Sequence, residues 1–467
     1  MPPDFTRTIS DLISRIFRDK TGATATIVAI ALPGLIGMGA LGAETGVWFT
    51  IKLQNQSAAD SAAIAAAYEV IGGKTDDTGD LTRAADEAAR RNGYKGSTPA
   101  VAYPYGDGTV SNGIAVTLQQ SQASLLAAMF LPGVTVANTA VAVIEVLDHA
   151  CILGLGTNST DVELAVSTQL DMPGCSVAAN SISSSAIELQ SSSTVVARTL
   201  LTAGEISLQQ TPIDPTMPPP EFVLSSPAMI GAPGVVDPYI GTLSHAYLIA
   251  GIPTTAKCKS KPSGSVSIYA GNCVISGKSL TNSQILLSAN TQITGAWNIS
   301  SSQIIDLSPG TYWITGDLKL QPNAVLKCSA CDNTRGLGVT LILTTQSSKI
   351  GALSVAASAR LALNAPNSGR FAGIVIVQDS HNLPPGTTYT SSYNTIGGVL
   401  DTTLNGLVYF PNSSVTFHGA PSAAGPQCLL LVVKTLNIDA SSRLETGGCR
   451  TAGLGNLPVI YTVAISE

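Results

Sequence analysis

The sequence predicts an N-terminal transmembrane helix with a small α/β (αββαβ) domain, followed by an all-β body of right-handed parallel β-helix type. Three observations predict it. An uncharged run of 21 residues lies near the N-terminus, the apolar period turns from helical to alternating after about residue 100, and beyond residue 149 apolar residues come in short bursts between Ser, Asn, Gly and Pro turns. Of the 467 residues only 12% are charged and the net charge is -6, so neither charge-driven disorder nor the basic footprint of a nucleic-acid-binding protein is present.

The run Ala23–Ala43, ATATIVAIALPGLIGMGALGA, is long enough as a helix to span about 31 Å of hydrocarbon. Arg7, Arg15, Arg18 and Lys20 precede it, while the next 20 residues carry only Lys52, so the positive-inside rule places residues 1–20 as a cytoplasmic tail and exports the rest. The rival is a cleaved signal peptide ending at Leu41-Gly42-Ala43. The apolar run exceeds the usual core of roughly 7–15 residues, and the helical pattern continues through WFTIKL into LQNQSAADSAAIAAA, which favours an uncleaved anchor over 21–75. Pro33 predicts a kink. Gly34, Gly42 and Gly46 are candidate packing positions for a second transmembrane helix, because small residues let backbones approach.

Residues 76–148 are expected to form a small α/β domain. A helix is expected with Asp80 as N-cap, Leu81, Ala84, Ala85, Ala88 and Ala89 on its apolar face, and Asn92-Gly93 as its stop. VAYPY (101–105) and IAVTLQ (114–119) read as a hairpin, SQASLLAAMF (121–130) as a short helix, and VTVANTAVAVIEV (134–146) as a third strand.

From residue 150 onward there are 30 charged residues in 318, and helical spacing is nearly absent. Bursts such as Tyr312/Ile314, Leu318/Leu320 and Val339/Leu341/Leu343, three to five residues long, fit coils that each stack on the one before, over 149–467. The segment 180–210 has the same beat and is expected to form the first coils. Between them, 211–238 holds eight of the 26 prolines; proline cannot donate to a ladder, so this segment is expected to leave the coils.

All eight cysteines follow residue 150, and in an exported body they are expected to be oxidised. Sequence neighbours suggest Cys151–Cys175, Cys258–Cys273 and Cys428–Cys449, with Cys328–Cys331 as a local disulfide; a second C-x-x-C for zinc is missing.

Residues 18–67, with the string LQNQSAADSAAIAAA, resemble the N-terminal region of the TadG-like family of Flp pilus-assembly, or tight-adherence, proteins. More loosely, CILGLG (151–156), PGCSVAANSISSSAI (173–187), VVDPYIG (235–241), LSPGTYWITGDLKL (307–320) and LNAPNSGRFAGIVIVQD (363–379) look like long exported members of that family. The resemblance implies an anchored assembly component. Some members end in a von Willebrand A-type domain with a DxSxS metal site, but Asp306-Leu307-Ser308-Pro309-Gly310 lacks the last Ser, so no metal site is expected. Pilin-type processing needs Glu at the fifth position after Gly22, where Ile27 stands, and Glu44 is too distant.

Chemistry is sparse. Glycoside hydrolysis needs two carboxylates roughly 5–10 Å apart, whereas Asp306, Asp317, Asp332, Asp379, Asp401, Asp439 and Glu445 are isolated in sequence. His418-Gly419 is similar to a pair in pectin-cleaving β-helix enzymes without its accompanying acids, and Asp379-Ser380-His381 reads as a solvated loop. No enzyme, cofactor or metal is expected. The function expected is a structural or assembly component of a tight-adherence pilus system in the bacterial inner membrane, single-pass, with its body in the periplasm or at the surface and pilin-like or platform proteins as partners. The alternatives are a surface adhesin for glycans or host surfaces and a polysaccharide-degrading enzyme.

Overall fold

In a computed structural model, residues 20–106, 113–124, 128, 133–209, 217–332, 334–397, 403–418, 428–439, 441–445 and 457–466 are described, and they are predominantly β-strand. The chain divides into two compact units, Met1–Glu145 with Tyr461–Glu467, and Val146–Ile460. The last residues thus return to the first unit. The expected tail, apart from Lys20, lies outside the described residues.

In the first unit, α1 (Lys20–Ile71) is one helix of 52 residues with Pro33 inside it. Its segment from Ile27 is long and apolar enough to cross a membrane. The two halves differ in what they touch. Ile30 and Met38 are each 76% exposed, whereas Ala58, Ala59, Ala62, Ala63, Ala66 and Ala67 are wholly buried. Those alanines recur at helical spacing and let α2 (Asp80–Arg91) approach closely, forming with Leu81, Ala85 and Ala89 a core under Ile114, Val116 and Leu118. Thr45 and Thr50 return their hydroxyl protons to the carbonyls of Leu41 (2.8 Å) and Gly46 (2.9 Å), so these side chains need no water.

Three details depart from the expectation. Gly79, at φ 70°, occupies the cap of α2, and Asp80 is its first residue; bonded to Arg83, the Asp80 carboxyl is held down at about 2. The strand β2 (Gly113–Ala123) follows β1 (Ala100–Tyr105) and takes in the first three residues of the segment expected as a helix, since Ser121, Gln122 and Ala123 pair with Thr135, Val134 and Gly133 of β3 (Gly133–Gly154). Ladder bonds override the helical pattern there, and most of 124–130 lies outside the described residues. Finally, β3 runs eight residues past the expected end, into the second unit.

The second unit consists mainly of parallel ladders. One row, followed by register, is Leu200, Val177, Ile152, Leu431, Val408, Ile376, Leu341, Tyr312, Thr291 and Cys273. Another is Leu208, Leu189, Leu164, Ile438, Phe417, Ile396, Val355, Leu320 and Ile299. Like side chains recur at one position because parallel register places each above the last. Turns between the strands put Ser167, Ser192, Ser302, Asn323 and Ser441 at positive φ, which explains the Ser/Asn-rich texture.

The ladder order is not the chain order. The end of β3 lies between Leu431–Val433 and Val177–Ala179, so the first strands of this unit stack against some of its last. Successive rungs rest on the preceding ones within each run, but the expectation is corrected at this junction, where early and late strands meet. From 150 to about 230 the chain builds rungs one way, then crosses to the far end and returns from residue 266 toward the start.

The crossing explains the proline-rich stretch. Within it Glu221–Leu224 is still a ladder strand, paired with Thr194–Ala197. A strap, residues 229–257, then runs along the outer side of one sheet: Met229 bridges to Leu201 at one end and Lys257 to Val274 at the other. Leu201 and Val274 are the first and tenth positions of one outward row, so at about 4.8 Å per rung the strap spans roughly 43 Å. Beneath it lie Leu153, Ala178, Val432, Tyr409, Val377, Ile342 and Trp313, against Val235, Tyr239, Leu243 and Leu248 of the strap. Each apolar strap side chain buried this way contributes about 1.5–3 kcal/mol.

The structure bonds Cys151 to Cys175, Cys258 to Cys273 and Cys328 to Cys331. Cys428 is also oxidised, and its expected partner Cys449 lies outside the described residues.

Candidate functional site

The richest polar constellation of the second unit is the seam between strap and sheet. Asp237 enters from the strap in a local turn, its Oδ1 accepting the Tyr239 amide at 2.9 Å. Tyr409, wholly buried in the outward row, donates its phenol proton to Asp237 Oδ2 at 2.6 Å. His381 Nε2 lies 2.5 Å from the same phenol oxygen. Because that phenol proton is already directed at Asp237, His381 must donate from Nε2.

One rung further, His245 Nδ1 meets Asp379 Oδ2 at 2.5 Å, and Thr344 donates to the same oxygen at 2.6 Å. Backbone bonds fix the register, the His245 amide donating to the His381 carbonyl at 2.8 Å. Farther along, Trp313 donates its indole proton to Leu248 O at 2.8 Å, and Arg370 lies 4.2 Å over the Tyr247 ring and donates to Ala250 O.

Burial governs the electrostatics. It raises the Asp237 carboxyl against the opposing bond from Tyr409, raises the Tyr409 and Tyr239 phenols, and lowers His381 although Asp237 and Asp379 both pull it upward. Elsewhere Asp161, wholly buried against Gly154 and Gly156, is raised by desolvation to about 6; Ser181 N donates to its Oδ2.

Two sequence readings change here. Asp379-Ser380-His381 is no solvated loop: Asp379 is 0% and Ser380 9% exposed, because the strap covers them. Nor does Asp379 stand alone, since it bonds His245 and Thr344 and its charge acts on His381 together with that of Asp237. No spacing could have revealed this, as the members lie up to 172 residues apart. The only shared signal is that VVDPYIG and LNAPNSGRFAGIVIVQD, two strings of the family resemblance, contribute Asp237 and Asp379.

The remaining acids have separate partners. Asp306 accepts the Ser329 amide, Asp317 the Ala352 amide and Thr390 hydroxyl, Asp332 bonds Thr334 and Arg335, and Asp439 lies 2.7 Å from His418 Nδ1. Glu445 ends the strand Arg443–Glu445, and Asp401 and Gly419 lie outside the described residues. No three His, Cys, Asp or Glu among the described residues converge as metal ligands. Around Gly34, Gly42 and Gly46 no atom comes within 4 Å of an added Cβ, so this face of α1 is open in the chain itself.

Chemically the seam acts as a clasp: charge-assisted bonds among Asp237, Tyr409, His381, His245 and Asp379, in a low-dielectric setting, hold the strap. A cavity of about 400 Å³ beside its far end is lined by Asn272, Asn290, Ser368, Arg370 and Phe371. No family model matches the chain, and neither does any curated protein or solved structure.

Proposed function

We propose that the chain is a single-pass, membrane-anchored assembly component of a bacterial tight-adherence pilus system, akin to the TadG-like proteins, with no catalytic role. Its parallel ladders form a β-helix on the exported side that serves as spacer or docking surface. The observation that carries the reading is the bare half of α1, where eleven large apolar side chains between Ile27 and Leu53 are exposed. An apolar surface of that extent on a helix is a membrane or partner surface. The basic residues ahead of it support a cytoplasmic N-terminus, and the oxidised cysteines suit a body outside the cytoplasm. Pilin-like or platform helices are the partners for the face bearing Gly34, Gly42 and Gly46. Deleting the gene in its host and counting surface pili tests this: pili should be lost or sharply reduced, and unchanged piliation refutes the role.

The cavity beside Arg370 favours a second reading, a surface adhesin, since amide groups and an aromatic edge suit a glycan. Protease treatment of whole cells separates the two. An adhesin loses its body, and a periplasmic component keeps it.

A further inference from the structure

The ladder has two chemically opposite ends. From Pro238 to Ile305 the sequence holds no Asp or Glu but four lysines, Lys257, Lys259, Lys261 and Lys278. All four are exposed and none makes an ion pair among the described residues. They gather at the rung where Lys257 bridges to Val274 and where Ser260–Ser263 pairs with Val266–Tyr269. At the other end the pattern inverts. The segments 199–209 and 217–228 that close it hold no Lys or Arg, but Glu205 and Glu221. Glu205 and Glu221 are exposed there, flanking the terminal strands Ile206–Gln209 and Glu221–Leu224.

The acidic end also leaves core unfinished among the described residues. Leu208 continues the row of Leu189 and Leu164, yet is 51% exposed where they are buried; Phe222, on the row of Val195 and Leu170, is 41% exposed and Val223 53%. Last rungs of this kind normally require a cover.

We infer that the β body associates head to tail with a second copy of this chain, the lysine end of one seated on the acidic, apolar end of the next. The charges cannot satisfy one another within one chain. The ends lie roughly 43 Å apart, several times the screening length of about 8 Å at physiological ionic strength. Two like ends repel, so the contact is heterologous and can repeat, which is how an open array arises. Pro262 lacks a ladder donor, so the contact at Ser260–Ser263 is ionic and apolar instead of a continued ladder. The inference rests on the body being a docking surface and names its partner; the pilus count addresses the wider role separately.

The test uses the full chain in detergent, followed by sedimentation over a concentration series. One variant reverses the basic end (Lys257→Glu, Lys259→Glu, Lys261→Glu), another the acidic end (Glu205→Lys, Glu221→Lys). All are exposed, and unchanged circular dichroism confirms folding. The wild type should self-associate, with affinity falling about tenfold or more from low to high salt. Each variant alone should remain monomeric, and an equimolar mixture should associate again. A wild type that stays monomeric, variants that associate like the wild type, or a mixture that fails to recover would overturn the inference. So would a lysine end that binds only vesicles containing phosphatidylglycerol.

Discussion

Replacing Tyr409 by Phe removes one oxygen from the seam and leaves the ring. The edge-to-face packing on Tyr239, 5.5 Å between centroids, should survive. What is lost is the donor to Asp237 at 2.6 Å and the acceptor for His381 at 2.5 Å. A bond to a charged group is worth about 1.5–3 kcal/mol, and a buried donor left without a partner costs about 1–3 kcal/mol; the two losses share one atom, so they add incompletely. The expected cost is about 2–4 kcal/mol. Urea unfolding of the full chain in detergent measures it, with Tyr393→Phe, at a side chain 69% exposed, as the control that should stay neutral. Limited proteolysis should cut the variant first within 229–257, since the clasp holds that segment. A loss below about 0.5 kcal/mol, with no new cut in the strap, would refute the assignment of Tyr409 as the hub of a buried network.

The other predictions concern core, charge and cross-links. Trp297→Ala empties a wholly buried position and should cost about 3–5 kcal/mol in the same unfolding assay. Asp161 is raised from an ordinary 3.8 to about 6, so its ionisation penalises the fold above pH 6 and the penalty fades as pH falls toward 4. At 1.36 kcal/mol per unit that is about 3 kcal/mol, and the wild type should gain up to that much relative to Asp161→Asn between pH 7 and 4; a constant difference contradicts it. His381 acts oppositely, because lowering by burial lets the unfolded chain take the proton first, so stability falls as pH drops through 6.5, and His381→Gln should flatten that slope. Removing Cys151–Cys175, with a sequence separation of 24, should cost about 3 kcal/mol, read as a lowered urea midpoint.

The sequence carried local information well and non-local information poorly. The span of α1 was legible because one uncharged run of 21 residues has few alternatives, and the alanines after it keep a helical beat. Short apolar bursts announced strands of three to five residues. What they could not announce was which strand lies beside which. Leu431 between Val408 and Ile152 is a matter of register across hundreds of residues, and nothing near Leu431 encodes it. Ser121–Ala123 failed for the same reason, since pairing with Gly133–Thr135 outweighed a weak helical preference. The seam was least legible. Its residues come from a strap with no periodicity and from a sheet face that is outward yet apolar, so alternation could not separate the covered side of Leu153, Tyr409 and Trp313 from a core side.

Alkaline extraction of native membranes, followed by the intact mass of the protein, tests the anchor most directly. The account predicts that the chain stays in the membrane pellet with the segment Ile27–Leu53 still attached. A soluble product beginning at or after Glu44 would contradict it.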